Sequence, residues 1–291
     1  MKLFDLHCDT LYRGVKENIG IYDGKTAVDF NASIDMFIQA FAAYVEDETP
    51  DGYGDFIKIA EYMKQSGIKP AIKAQELCSN KAAIFTVENG IALGGKIENL
   101  ENLYDAGVRV ITLTWNGKND LGSGCKTSGG LTDFGRQVIE KMNEFKMAVD
   151  LSHINRKGFI EAIRLSKHVL ATHSCFDSIV PHYRNLKDEQ ALQIANKQGI
   201  IGICVYPEFA GIGDPFEAVA QHIKHGISLG IAQSLAIGTD FDGADMHKNL
   251  CCTAHMINLY DYLCNYFCDA KLIDDIFYNN AIRYFTELLT K

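Results

Sequence analysis

Eight apolar runs of strand length recur along the chain, and amphipathic stretches of helical spacing lie between them. The runs fall at residues 3–9, 41–45, 83–88, 109–115, 147–153, 168–174, 200–206 and 235–240. The helical patterns fall at 55–65, 97–106, 132–145, 157–165, 188–197 and 215–229. Thr132 precedes its pattern as an N-cap would, and Gly107, Gly199 and Gly230 follow theirs as helix stops. Strand and helix alternating along a whole chain imply a parallel sheet covered by helices on its outer faces. Eight repeats in 291 residues, without a linker between halves, predict a closed (β/α)8 TIM barrel forming one domain over 1–291 rather than an open doubly wound sheet. A glycine-rich phosphate loop after the first strand, which a dinucleotide-binding sheet would need, is missing.

Composition narrows the function classes. The chain is 47% hydrophobic, enough for one large core, and its net charge of −9 with no basic stripe argues against a nucleic-acid partner. No apolar run approaches the roughly 20 residues of a membrane span. The first ten residues, MKLFDLHCDT, lack the apolar region of a signal peptide. Nine cysteines without a CxxC pair are expected to be free buried thiols in a reducing, cytoplasmic compartment, and a zinc knuckle is not expected. Cys251 and Cys252 are the one adjacent pair.

In a barrel of this kind the chemistry sits at the C-terminal ends of the strands. Five of the eight runs end in a side chain able to hold a metal: His7 and Asp9, Glu88, His153, His173 and Asp240. Alternation along a strand places His7 and Asp9 on one face. Taken together these are ligands enough for two divalent ions sharing a bridging group. Imidazole with carboxylate suits zinc and admits manganese or iron. His168 starts its strand at the opposite end of the barrel. His222, His225, His247 and His255 lie on helical or loop segments, and those five are expected to be structural. Asp242 is expected to form a turn. The stretches 116–130 and 207–214 are expected to be loops that shape the substrate site.

The segments FDLHCDT, FTVENG, GVRVITLTWNGKNDLGSG, GLTDFGRQVIEKMN, VDLSH, ATHSCFDSIVPHYRN and AIGTDFDG resemble, in order and spacing, the renal (membrane) dipeptidase family. The resemblance runs from residue 4 to about residue 285. It implies a soluble, amidohydrolase-like metallodipeptidase in which His7 and Asp9 bind a first zinc ion, Glu88 bridges, and His153 and His173 bind a second. It further implies that Asp240 handles the proton, that Arg184 grips the C-terminal carboxylate of the substrate, and that Tyr206 contacts the substrate. The mammalian enzymes carry a His where this chain has Trp115, a change that bears on how the scissile carbonyl is held. Tolerance of a C-terminal D-residue and a homodimer are also implied only by the family.

The mechanism expected from a metal pair is attack by a bridging hydroxide on the peptide carbonyl, with Asp240 passing the proton to the leaving amine. Two rival readings are a binuclear amidohydrolase for another substrate, such as an N-acyl amino acid, a lactone or a phosphoester, and a barrel that binds metal without catalysis. Loss of the carboxylate grip would favour the first rival, which Arg184 argues against, and the presence of all six metal and acid positions argues against the second.

Overall fold

The computed structural model describes residues 1–290. Eight parallel strands close into a barrel in chain order: β1 (Lys2–Cys8), β2 (Met36–Tyr44), β3 (Lys81–Glu88), β4 (Val108–Thr112), β5 (Ala148–Asp150), β6 (Val169–Ser174), β7 (Ile200–Ile203) and β8 (Leu235–Ile237). The ring closes where Asp5 of β1 pairs with Ile237 of β8. Helices α1 (Thr10–Glu17), α2 (Gly52–Gln65), α3 (Glu98–Asp105), α4 (Asp133–Glu144), α5 (Arg156–Leu165), α6 (Asp188–Asn196), α7 (Pro207–Ala210) and α8 (Pro215–Ser228) fill the connections. After β8 the chain runs through α9 (Met256–Phe267), α10 (Ala270–Asp274), a π-helical turn and α11 (Asn280–Leu289).

The apolar material divides into two layers. The larger packs one set of strand residues, Phe41, Phe85, Ile111, Val149 and Ile201 among them, against helix faces such as Phe56, Leu103, Val138 and Ile223. The smaller joins Phe4, Ile38, Ile84, Val110, Leu170 and Ile200 to Tyr284, Phe285 and Leu288 of α11. Phe4 stacks on Phe285 with ring centroids 5.0 Å apart. A fully buried Phe or Leu contributes about 1.5–3 kcal/mol, so Phe285 and Leu288 fasten α11 to the barrel.

Several sequence expectations need correction. Four strands stop three residues short of the predicted ends: β4 at Thr112, β5 at Asp150, β7 at Ile203 and β8 at Ile237. Trp115, His153, Tyr206 and Asp240 therefore stand on the loops beyond them, because hydrophobic patterning continues past the last ladder hydrogen bond. The predicted loop 207–214 contains the single turn α7, started by Pro207. Thr132 does cap α4, its hydroxyl accepting from the Gly135 N–H at 2.9 Å. Gly199, by contrast, is not the residue that turns the chain after α6. Gln198 takes the left-handed conformation, φ 58°. Gly199 is small because a Cβ there would lie 2.5 Å from the Val169 carbonyl oxygen.

Candidate metal centre and substrate groove

The loops at the C-terminal ends of the strands surround a groove of about 900 Å³, within the range of small-molecule sites. Its floor is built from β1, β3, β6 and the first residues after β5 and β8. His7 lies in β1, Glu88 closes β3 and His173 lies in β6. His153 and Asp240 follow β5 and β8, and both are left-handed at φ 65°. L-residues rarely hold that conformation. It is found here where the chain must turn back over the barrel mouth.

Asp9 reaches the site by a different route from the one the strand pattern implies. β1 ends at Cys8, and its register against β2 shifts between Asp5 and Cys8. Asp9 is the N-cap residue of α1 but makes no side-chain cap hydrogen bond. An Asp at this position ordinarily accepts from the first turn of its helix. Here the carboxylate instead brings Oδ2 to 3.5 Å from His7 Nε2, while Oδ1 is buried without a partner among the described residues.

Glu88 stands at the centre. Its Oε2 is 3.2 Å from His7 Nε2, and its Oε1 is 2.9 Å from His153 Nε2 and 3.7 Å from His173 Nε2. Its two oxygens thus face different imidazoles. His7, Asp9 and Asp240 form one set of donor atoms within 4.8 Å of one another, and His7, Glu88 and His173 form another.

The protons can be placed from the outer contacts. His173 Nδ1 is 2.8 Å from Thr172 Oγ1, and the Thr172 hydroxyl donates to the Asp150 carboxylate at 2.7 Å. Having given its single hydrogen to Asp150, that hydroxyl accepts from His173 Nδ1–H. His153 Nδ1–H likewise donates to Asn116 Oδ1 at 3.1 Å. Both Nε2 atoms are left with bare lone pairs, 2.8 Å apart, beside a carboxylate oxygen. Burial, followed by the nearby charges of Arg184 and His7, holds both rings well below the ordinary histidine pKa, in the neutral form that binds metal. His7 differs. Burial opposes its charge, but Glu88 and Asp9 outweigh that and raise its pKa well above the usual value. Burial, with Asp9 adding to it, raises the pKa of Glu88 and of Asp240. Two buried acceptor nitrogens facing each other at 2.8 Å with no hydrogen between them are unfavourable by themselves. A divalent cation fits the cluster, and the nitrogen and oxygen donors suit zinc or a neighbouring transition ion.

Beneath the donors lie two buried carboxylates that the sequence reading did not single out. Asp5 accepts from Thr239 N–H at 2.8 Å, Thr239 Oγ1–H at 2.7 Å and His7 N–H at 3.3 Å. Asp150 accepts from Thr112 Oγ1–H, Thr172 Oγ1–H, Thr172 N–H and Ser152 N–H, at 2.6 to 3.0 Å. They brace the β1/β8 and β5/β6 ends. Their signal was present: each is an acid inside an otherwise apolar run, two or three residues before a histidine. Gly243 is a third omission. A Cβ on it would lie 2.1 Å from Asp9 Oδ2 and 2.8 Å from Asp240 Oδ1. Asp242 does more than turn the chain. Its carboxylate accepts from Thr10 Oγ1–H, from Arg13 at 2.8 Å and from Ala27 N–H at 2.8 Å, fastening the loop of Asp240 to α1.

Arg184 projects into the same groove with only 4% of its surface exposed. Its terminal nitrogens donate to the Ser174 hydroxyl at 3.1 Å and the His173 carbonyl at 2.8 Å, both neutral acceptors. Its Nε is buried without a partner among the described residues. Trp115 packs against Tyr44 and His153, with centroids at 5.3 and 6.1 Å. Tyr206 stands edge-on to Phe209, its phenol pushed up to about 12 by burial and by Glu208. Both rings line the groove. The histidines expected to be structural include His222, which accepts from Phe176 N–H and donates to the Ala210 carbonyl. All nine cysteines are free, but only Cys8, Cys175 and Cys204 are buried, so burial of the whole set is not found. Among the described residues, no helix is long and apolar enough to cross a membrane.

Comparison with known proteins bears on the family and the fold. The family model described as membrane dipeptidase (peptidase family M19) matches residues 1–290. An uncharacterized protein from the pqqA 5′ region of Klebsiella pneumoniae is 30% identical over 217 residues, 69% of this chain and 80% of that protein. Dipeptidase tcpJ of Claviceps purpurea is 33% identical over 177 residues, 57% of this chain and 41% of the fungal protein. This match thus spans less than half of the fungal protein's length. The crystal structure of a metallopeptidase of family M19, the dipeptidase AC, superposes with a TM-score of 0.88 at 25% identity, covering 99% of this chain and 98% of that one.

Proposed function

Because the chain belongs to the membrane dipeptidase family, peptidase family M19, we propose that it hydrolyses free dipeptides using two zinc ions at the barrel mouth. In this reading His7 and Asp9 would hold the first ion, His153 and His173 the second, and Glu88 would be shared by both. The observation that carries the reading is the pair of bare Nε2 atoms of His153 and His173 beside Glu88 Oε1, a gathering of acceptors that a bound cation would stabilise. Bound zinc supplies Lewis acidity for the scissile carbonyl and a water acidic enough to act as nucleophile near neutral pH.

The chain's own residues do the rest. Asp240, 3.8 Å from His7 Nε2, takes up the proton released on attack and delivers it to the leaving amine. Arg184 pairs with the C-terminal carboxylate of the substrate and so fixes the distance from that end to the scissile bond. Trp115 and Tyr206 flank the side chains, and Trp115 stands where mammalian relatives place a His. Substrates with a C-terminal D-residue belong to the same proposal, since a grip on the carboxylate does not by itself select the configuration beside it.

The test is a panel of L-L and L-D dipeptides with N-acetylated controls, assayed with zinc and after chelation. Zinc-dependent cleavage of the free dipeptides is the expected result. Two bound metals with no cleavage of any free dipeptide would overturn the substrate assignment. Asp240→Asn should keep its metal and lose turnover, and an active Asp240→Asn protein would remove Asp240 from its role.

A further inference from the structure

A second group of metal-binding side chains lies outside this centre. Cys251, Cys252 and His255 bring their donor atoms within 4.8 Å of one another, and all three are half-buried. They follow β8 on the same connection as Asp240 and Asp242, and Cys251 lines the wall of the groove. The local backbone assembles them. Cys252 is extended, at φ −160° and ψ 165°, and begins a 3-10 turn over Thr253–His255, which returns the imidazole to the sulfurs. The turn is anchored by Thr253 N–H donating to the Ala27 carbonyl at 2.9 Å and by His255 N–H donating to the Cys252 carbonyl at 2.9 Å.

The orientation of the ring is the informative detail. His255 Nδ1 accepts from the Cys251 N–H at a long 3.3 Å and stands 3.7 Å from Cys251 Sγ. The nitrogen nearest Cys251 Sγ is therefore the unprotonated one, and its lone pair is held only by the long bond from the Cys251 N–H, which a metal ion would displace. Two thiols and one imidazole lone pair at this spacing form the Cys2His donor set of a zinc site. Donors around tetrahedral zinc stand about 3.5–4 Å apart, given bonds of about 2.1 to 2.3 Å, so rotation of the cysteine side chains closes the remaining gap. Sulfur makes the group softer than the nitrogen and oxygen centre on the barrel floor, and selects thiophilic ions.

We infer that Cys251, Cys252 and His255 form a separate binding site for one thiophilic d10 ion, Zn2+ or Cd2+, at the rim of the substrate groove. Binding forms two metal–thiolate bonds and one metal–nitrogen bond and releases the two thiol protons to solvent. Three protein donors leave a fourth position open. The ion ties the connection that carries Asp240 to the start of α9.

The test uses the full chain, kept reduced and titrated with Cd2+. The expected signal is thiolate-to-cadmium charge-transfer absorption in the ultraviolet, saturating with one more bound Cd2+ per chain than the Cys251→Ser/Cys252→Ser protein takes up. That double variant should lose both the absorption and the extra equivalent. His255→Ala should keep the absorption but weaken its half-saturation at least tenfold. The exposed thiols of Cys78 and Cys268 remain in every variant and serve as the internal control. Equal cadmium uptake by the wild-type and double-variant proteins would overturn the inference, as would a wild-type titration without charge-transfer absorption. Should the double variant fail to fold, His255→Ala decides: an unchanged titration curve rejects the site. None of these readouts depends on turnover, so the outcome is separate from the fate of the dipeptidase reading.

Discussion

Arg184 offers the sharpest test of how the groove reads its substrate. Its guanidinium is buried, donates only to the neutral Ser174 hydroxyl and His173 carbonyl, and leaves Nε without a partner. A cation so placed has lost water without gaining a counter-charge. A substrate carboxylate would supply one, through charge-assisted hydrogen bonds worth about 1.5–3 kcal/mol each. Removing one partner from such a desolvated pair costs about 2–5 kcal/mol. A middle value of about 3.5 kcal/mol corresponds to roughly 300-fold, at 1.4 kcal/mol per tenfold. Arg184→Met, which keeps most of the stem's volume, should therefore lower kcat/KM for a dipeptide by about that factor. The assay pairs each enzyme with a dipeptide and with its C-terminal amide. The wild-type enzyme should prefer the acid by about two orders of magnitude, and Arg184→Met should treat acid and amide alike within about threefold. Arg184→Lys should fall between, because it keeps the charge but loses the planar fork. Circular dichroism melts confirm that each variant is folded. If Arg184→Met still discriminates acid from amide as the wild type does, the carboxylate is bound elsewhere and the argument from the unpaired guanidinium is wrong.

Three other predictions rest on separate contacts. Gly243→Ala places a methyl group 2.1 Å from Asp9 Oδ2, so bound metal should fall and kcat/KM should drop at least about 100-fold; elemental analysis showing undiminished metal would refute the crowding. Thr172→Val removes the hydroxyl between Asp150 and His173 Nδ1, and zinc affinity measured against a competing chelator should weaken by about 10–100-fold, while Thr172→Ser should restore it. His222 has its pKa lowered from 6.5 to about 4 by burial. Because the unfolded chain takes up the proton first, this group's contribution is complete above pH 6.5 and is lost as pH falls to about 4, a span worth about 3 kcal/mol. His222→Gln can keep both hydrogen bonds without titrating. Chelated His222→Gln protein should lose less stability than wild type between pH 7 and pH 4, by up to that amount in denaturant melts, and parallel losses would refute the assignment.

Local periodicity was enough to read the barrel, because a strand alternating with a helix prints its pattern into adjacent residues. The same pattern located Glu88 and His173 at strand ends, where the fold brings them together with His7. It was misleading where chemistry depends on the backbone leaving regular structure. His153 and Asp240 sit on loops with positive φ, and Asp9 turns away from the helix it begins. Nothing in residue type or spacing encodes those dihedrals. Nor did patterning assign the C-terminal segment, since α11 is determined by what it covers, the lower layer around Phe4 and Ile84.

By itself, the sequence determined the class of fold, the family and the donor types, all properties of local composition and ordered motifs. The tertiary structure alone decided which groups stand next to one another: Asp150 under Thr172 and His173, Gly243 against Asp9, and Cys251 and Cys252 beside His255. Distances between residues far apart in the chain, and the turn of a ring four residues away, follow from closing the barrel and packing its loops. Those are cooperative consequences of the whole chain that no short window of sequence carries.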